Sequence, residues 1–353
     1  MKANEPELSL EDILDYEKKR YVKKGFGLFF ASLFTLCWFF LVPQIATLIW
    51  PSKIENEGSF FFFSAYILHE SVFIFNNFAM WVIYKLECPF FERYKIHDKA
   101  WPWKEDPEKW NKLIKETISL LFVNQVIILP LMSIVYYLKN ECPFRFDFDS
   151  LPSVFEVIWQ TVLSMIIEDF SFYWSHRFLH WDKIYAHIHK IHHKHINTVS
   201  IASEYAHPVE FVFGNVLTSS LGPLILGKKM HLFTYLMWMV LRISETTDGH
   251  CGYEFSWSPY RLLPMSGSSE YHNYHHLSFK GNYASFFTYM DRIFGTVNVR
   301  YHEFVEKKKE YVRKVRKSGK EETKEGVESR LISEKRESSY APVKKNNEGN
   351  KED

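Results

Sequence analysis

Cysteine is scarce in this chain, and what there is does not pair. Cys37, Cys88, Cys142 and Cys251 are scattered along 353 residues with no CxxC spacing, which excludes a zinc ribbon or a thiolate-held iron–sulfur cluster. Such sparse usage fits reduced thiols facing a reducing compartment. Net charge is nearly absent as well. With 43 Lys and Arg against 42 Asp and Glu, nucleic acid has no electrostatic footprint to bind. No Rossmann glycine fingerprint or flavin site occurs, so electrons for any redox chemistry must come from outside. Residues 1–20 are acidic and polar, unlike a cleavable signal peptide, and the first apolar run reads as an uncleaved anchor.

Aromatic and uncharged apolar sequence is abundant. The chain has 32 Phe, 20 Tyr and 11 Trp. Gly25 to Trp50 and Thr117 to Leu138 are 26 and 22 residues without a charge, each long enough to span a bilayer. Gly58 to Tyr84 is apolar around His69 and Glu70, a pair expected to be buried. Val154 to Trp174 is apolar apart from Glu156, Glu168 and Asp169, and charges in such a segment are expected to face a protein interior. Lys and Arg gather before the first run (Arg20, Lys23, Lys24) and between Lys85 and Glu116, and are few in the alternate loops. This predicts a cytosolic N-terminus and, after four crossings, a cytosolic side for the chain beyond Trp174. A further apolar stretch, Val209 to Ser244, is interrupted by Gly222-Pro223 and Gly227-Lys228-Lys229. It is expected to dip in and out as a hairpin or to lie on the membrane surface. Glu-Cys-Pro-Phe occurs at 87–90 and 141–144, each time after a span, and reads as a helix stop. From Phe304 the chain turns rich in Lys, Glu, Ser and Asn, which predicts a charged disordered tail with a short basic helix over Lys307 to Lys320.

Eight histidines form three clusters: His176 and His180; His189, His192 and His193; His272, His275 and His276. Their spacings are i, i+4 or i, i+3, i+4, which share one helix face. Eight imidazoles exceed what one ion with an open position needs, and they suit two neighbouring metal ions. Imidazole binds zinc, copper, iron and nickel. Structural zinc usually recruits Cys, and copper would be expected to recruit Met or Cys, which are not prominent here. Iron is the natural choice for oxygen chemistry, although the imidazoles alone leave zinc open. A metal transporter or storage protein and an inactive scaffold are the non-enzymatic readings. A transporter's histidines should line a path between spans, whereas these gather beyond one face.

Metal-bound imidazoles usually pass their second N–H to a carboxylate, for which Asp169, Glu204, Asp248 and Glu270 are the candidates. His207, ahead of Pro208 at an expected helix start, is a further candidate ligand. His187 and His195 read as bystanders, His231 and His302 as interfacial or surface residues, and Arg177 as a head-group anchor.

With the clusters placed, several stretches resemble the fatty acid hydroxylase superfamily of membrane histidine-box di-iron enzymes, and within it most closely the C4-methyl sterol oxidases (methylsterol monooxygenases). They are Glu168-Asp169 leading to Tyr173 through Arg177, Tyr185 through His193, Ser203 through Pro208, His231 through Thr234 ahead of Leu241-Arg242, Asp248 through Tyr253, and Gly281 through Ser285 ahead of Asp291. The resemblance is dense from Asp169 to Gly295. It implies an all-α, multi-pass membrane helical bundle capped by a cytosol-facing, histidine-rich di-metal site. It also implies a ninth ligand, His250. The organisation expected is a cytosolic segment 1–24, transmembrane helices and loops over 25–150, a di-iron catalytic domain over 151–303 and the tail 304–353.

The resemblance further implies two iron ions, O2 as co-substrate, and electrons from NAD(P)H through cytochrome b5 or a reductase. A sterol C4-methyl group entering from the bilayer would be oxidised stepwise to alcohol, aldehyde and carboxylate. The expected location is the endoplasmic reticulum membrane, among other sterol C4-demethylation enzymes. Sterol desaturases, sterol hydroxylases, side-chain-removing enzymes, fatty acid hydroxylases and aldehyde-forming relatives share the same boxes. Methyl oxidases tend to read Glu-His-His-Asp before the last His pair, where this chain has Glu270-Tyr271-His272-Asn273. The lost carboxylate bears on the support of the site and on substrate choice.

Overall fold

A backbone passing through a solvent without hydrogen-bond partners must satisfy its polar groups internally, and the long apolar runs of this chain are helical. The computed structural model describes residues 24–97, 100–303 and 305. The N-terminal segment 1–23 and nearly all of the tail, with its expected basic helix, lie outside the described residues. The described residues up to Tyr301 form one compact unit. Its main helices are α1 (Gly25–Ile49), α2 (Glu57–Leu86), α3 (Pro107–Lys139), α4 (Val154–Leu179), α5 (Pro208–Lys229), α6 (Leu232–Gly249) and the shorter α7 (Ser269–Ser278). No strand occurs among the described residues, only isolated bridges such as Lys95 with Tyr253. The fold is all-α.

Helices α1, α2, α3 and α5 are long and apolar enough to cross a membrane. They expose Leu48, Phe75, Leu138 and Ile225, as a lipid-facing surface does. Both Glu-Cys-Pro-Phe stops hold: α2 and α3 end before left-handed residues, Glu87 at φ 41° and Asn140 at φ 54°. Two spans differ from expectation. The uncharged run predicts α3 from Thr117, yet it starts at Pro107. Asp106 accepts a hydrogen bond from the Lys109 N–H at 3.0 Å, and proline suits a first helical turn. The helix therefore gains charged turns ahead of its apolar part. Val154 to Trp174 is expected as a crossing. A helix forms there, started by a capping box between Ser153 and Glu156, but it is not one of the four long apolar helices. Gln160, Thr161, Ser164, Glu168 and Asp169 line its buried side, so its polarity is spent on the protein interior. The two mid-helix acids do face inward, as their cost in lipid demands.

Helix α4 packs along α5, and α2 along α3 and α6. The α4–α5 approach is close at Gly222, where an added Cβ would lie 2.8 Å from the Ser164 Cα. The chain reverses after Leu226 through a tight turn at Gly227–Lys229, and α6 runs back beside α5. Val209 to Ser244 is therefore a helical hairpin, with its reversal at the expected glycine-lysine turn. It brings the end of α6 to the same end of the bundle as the end of α4 and the start of α5. An aromatic cluster of Tyr84, Tyr94, Trp101, Tyr253 and Phe255 closes that end. The Tyr84 hydroxyl ties it together, donating to the Cys251 carbonyl at 2.8 Å and accepting from the Ser200 N–H at 3.0 Å.

Candidate metal centre

The nine histidines predicted as ligands meet at this end in two groups. His176, His180, His189, His193 and His275 form one, and His192, His250, His272 and His276 the other; within each group the nitrogens lie within 4.8 Å of one another. The clusters are not assigned whole to one group or the other. His189 and His193 stay together while His192 crosses over, and His272 and His276 stay together while His275 crosses over. Helix geometry explains this. At 3.6 residues per turn, i+4 lies about 40° from i on one side and i+3 about 60° on the other, so an HxxHH motif presents its i, i+4 pair one way and its middle histidine another. The supports differ between clusters. His176 is on α4 and His180 ends it, and the third cluster is on α7. The second cluster is not on a regular α-helix: it occupies consecutive turns ending in a short 3₁₀ segment, His192–Lys194. One helix-like bond there, His193 N–H to His189 O at 3.3 Å, is enough to align the pair.

Hydrogen bonds orient the rings. His176 Nδ1 lies 2.9 Å from the Tyr283 carbonyl, His192 Nδ1 3.0 Å from Tyr205, His250 Nδ1 2.8 Å from Thr246, His275 Nδ1 2.7 Å from Gly281, and His276 Nδ1 3.1 Å from His195. His189 Nδ1 lies 2.7 Å from Glu210 Oε1. A carbonyl only accepts, so these rings carry their proton on Nδ1 and present a bare Nε2 lone pair. The Nε2 atoms nevertheless crowd together: His250 and His192 at 3.3 Å, His180 and His275 at 3.1 Å, His272 and His276 at 3.1 Å. Between His250 and His192 neither Nε2 has a proton to share. Donor atoms about 3 Å apart match the spacing of neighbouring ligands around an ion at about 2.0–2.1 Å. Burial keeps the rings neutral, as ligands must be. It holds His193, His272 and His276 well below the ordinary imidazole range and brings His192 to about 4. The donor set fits two metal ions.

Three of the carboxylates chosen from sequence, Asp169, Glu204 and Asp248, have other partners. Asp169 accepts from the Phe287 N–H at 2.9 Å, Glu204 from Gln125 Nε2 at 2.7 Å, and Asp248 pairs with Arg261 at 2.8 Å. The Glu270 N–H donates to Glu254 at 2.9 Å. A carboxylate that does support a site imidazole is Glu210, which the sequence reading missed. Its signal was its place in the first turn after His207-Pro208. Glu210→Gln is expected to weaken metal retention about 10–100-fold, read as faster metal loss to a chelator with the fold intact. Unchanged retention would remove Glu210 from the site.

His207 lies outside both groups and caps α5, accepting from the Val209 N–H at 3.1 Å. His231, expected at an interface or the surface, is instead fully buried, because it caps α6 in the same way at 3.0 Å. His302 is exposed. His69 lies between Glu70 and Glu204, at 3.1 and 3.4 Å, and lines an apolar cavity. His195 is more than a bystander. It is buried against the Thr117 hydroxyl at 2.9 Å, and its carbonyl orients His276. The two departures from the last box point elsewhere. The Tyr271 hydroxyl donates to Asp291 at 2.8 Å. Asn273 accepts from the Thr198 hydroxyl at 3.1 Å, and its Nδ2 lies 2.6 Å from His97 Nε2.

Residues 161–296, which hold both groups, match the family model described as fatty acid hydroxylase. Methylsterol monooxygenase 2-2 of Arabidopsis thaliana is 40% identical over 235 residues, covering 66% of this chain and 84% of that protein. Methylsterol monooxygenase 2-1 of the same plant is 38% identical over 247 residues, covering 66% and 86%. A very-long-chain aldehyde decarbonylase of Oryza sativa subsp. indica is 38% identical over 234 residues, covering 65% and 82%. No solved structure matches.

Proposed function

The chain belongs to the fatty acid hydroxylase family, and from that premise we propose that it is a membrane di-iron monooxygenase that oxidises a sterol C4-methyl group stepwise to alcohol, aldehyde and carboxylate. The observation that carries the reading is the pair of histidine groups with Nε2 atoms turned inward. His176, His180, His189, His193 and His275 would hold one ion, and His192, His250, His272 and His276 the other. Iron so held supplies dioxygen activation when external electrons reach it. The remaining work falls to the protein: binding, orientation and exclusion of water. Backbone carbonyls and Glu210 fix the rings. Apolar side chains of α5 and α6 line one cavity, and a second that shares Ser203, Asn215 and Thr246 with it lies against the histidines, a route suited to a lipid.

On this reading residues 151–303 are the catalytic domain, behind transmembrane segments in 25–150. The site faces the cytosol at the endoplasmic reticulum membrane, where cytochrome b5 and its NAD(P)H-dependent reductase deliver electrons. The other enzymes of sterol C4-demethylation would take the product.

The test is expression in a sterol-auxotrophic host lacking its own C4-methyl oxidase, with sterols followed by mass spectrometry. Loss of 4,4-dimethyl sterols is the expected result. Their persistence, with the protein present in the membrane, would sink the methyl-oxidase reading. Consumption of a long-chain aldehyde instead would favour the chemistry named for the rice relative, which is nearly as similar in sequence.

A further inference from the structure

Two cavities meet beside the histidines. One is mostly apolar, with Phe211, Trp238 and Met239 in its wall. The other lies against His176, His189, His192, His250 and His272. Ser203, Asn215 and Thr246 line both, so these three polar residues stand where the apolar cavity adjoins the one against the histidines. Ser203 stands out among them. It is 5% exposed, and its hydroxyl has no hydrogen-bond partner among the described residues. Buried hydroxyls are nearly always paired, and an unpaired one in a cavity wall calls for a ligand group.

Ser203 is also held still. It sits in the short 3₁₀ turn Ser200–Glu204. At the start of that turn the Ser200 hydroxyl donates to Asn77 at 2.8 Å and its N–H to Tyr84 at 3.0 Å. At the end of it Gln125 donates to Glu204 at 2.7 Å. A turn fixed from both sides holds the Ser203 backbone in one position and limits where its hydroxyl can reach. The hydroxyl can donate to a ketone or exchange a hydrogen bond with an alcohol.

We propose that Ser203 is a specificity-determining residue that hydrogen-bonds an oxygen substituent of the lipid substrate, on or next to the carbon presented to the histidines. The lipid is then an amphiphile bound polar end first, with its hydrocarbon body along Phe211, Trp238 and Met239. This rests on the proposed oxygenase reading for the reaction, but not for the binding.

The experiment uses the iron-loaded protein in nanodiscs with its electron donors. The probes are a 4,4-dimethyl sterol bearing a 3-hydroxyl and its 3-deoxy analogue. The wild type is expected to prefer the hydroxylated sterol in kcat/KM by about tenfold or more, since a site built to hydrogen-bond a hydroxyl rejects the analogue lacking it. Ser203→Ala should collapse that preference with two irons still bound, and Ser203→Cys should fall between. An undiminished preference in Ser203→Ala, or loss of iron from it, overturns the proposal. Thermal stabilisation of the same protein by a long-chain alcohol and by the alkane of equal length gives a second ratio, which needs no turnover. If neither sterol is oxidised, the methyl-oxidase reading fails. A Ser203-dependent preference for the alcohol would still support this proposal, and equal stabilisation of the wild type by alcohol and alkane would overturn it.

Discussion

On the proposed di-iron reading, His275→Ala is expected to abolish oxidation and to lower bound iron from two per chain to about one. His275 is fully buried in the five-histidine group. Its Nδ1 donates to the Gly281 carbonyl at 2.7 Å and its Nε2 faces His180 at 3.1 Å. Gly281 holds that carbonyl in place at φ +75°, where an added Cβ would meet the Thr296 oxygen at 2.6 Å. The substitution removes a donor atom and takes the Nδ1–H partner from the Gly281 carbonyl. The loss in turnover should exceed the roughly 10–100-fold that removal of a supporting partner costs, because here the donor itself goes. His272→Ala makes the matching test on the other group. His207→Ala is the control, since it removes only a helix cap, and should keep both irons and most activity. Elemental analysis with single-turnover oxidation reads all three. Two irons retained in His275→Ala would refute the assignment of this group.

The second large effect is on stability. Arg242 on α6 donates to Glu168 on α4 at 2.7 Å and to Glu245 one turn on at 2.9 Å. All three are buried, Glu168 completely. The guanidinium also lies 5.5 Å from the Phe172 ring centroid, so it packs as well as pairs. Arg242→Met keeps much of the volume but leaves two acids without their cation. Breaking a buried ion pair from one side costs about 3–5 kcal/mol. The expected outcome is a large drop in thermal midpoint in detergent, together with loss of iron as α4 and α6 part. Adding Glu168→Gln and Glu245→Gln to Arg242→Met should restore much of the midpoint, because the uncompensated charges then go. A midpoint within a degree or two of wild type in Arg242→Met alone would show that the triad does not join the helices.

Much of this protein follows from its sequence alone. Apolar runs longer than a bilayer is thick leave the backbone only helix, so the charge-free α1 and apolar part of α3, and α2 around its His69-Glu70 pair, were legible, and the Cys-Pro stops marked two ends. Histidines at i, i+3 and i+4 announced a metal centre, because no apolar core needs that pattern. Glu168 and Asp169 had to point inward, because lipid offers them no partner. What the tertiary structure decided depends on distance in space. It divided each HxxHH between two groups, since which ring meets which is set by how α4, α7 and the turns of the second cluster approach one another. It put Glu210 rather than Asp169 against an imidazole, because the start of α5 comes alongside His189 while Asp169 is taken up by the Phe287 N–H. The return of His250 required the α5–α6 reversal. The bare Ser203 hydroxyl exists only where two cavities join, and a local pattern in the chain carries no signal of that.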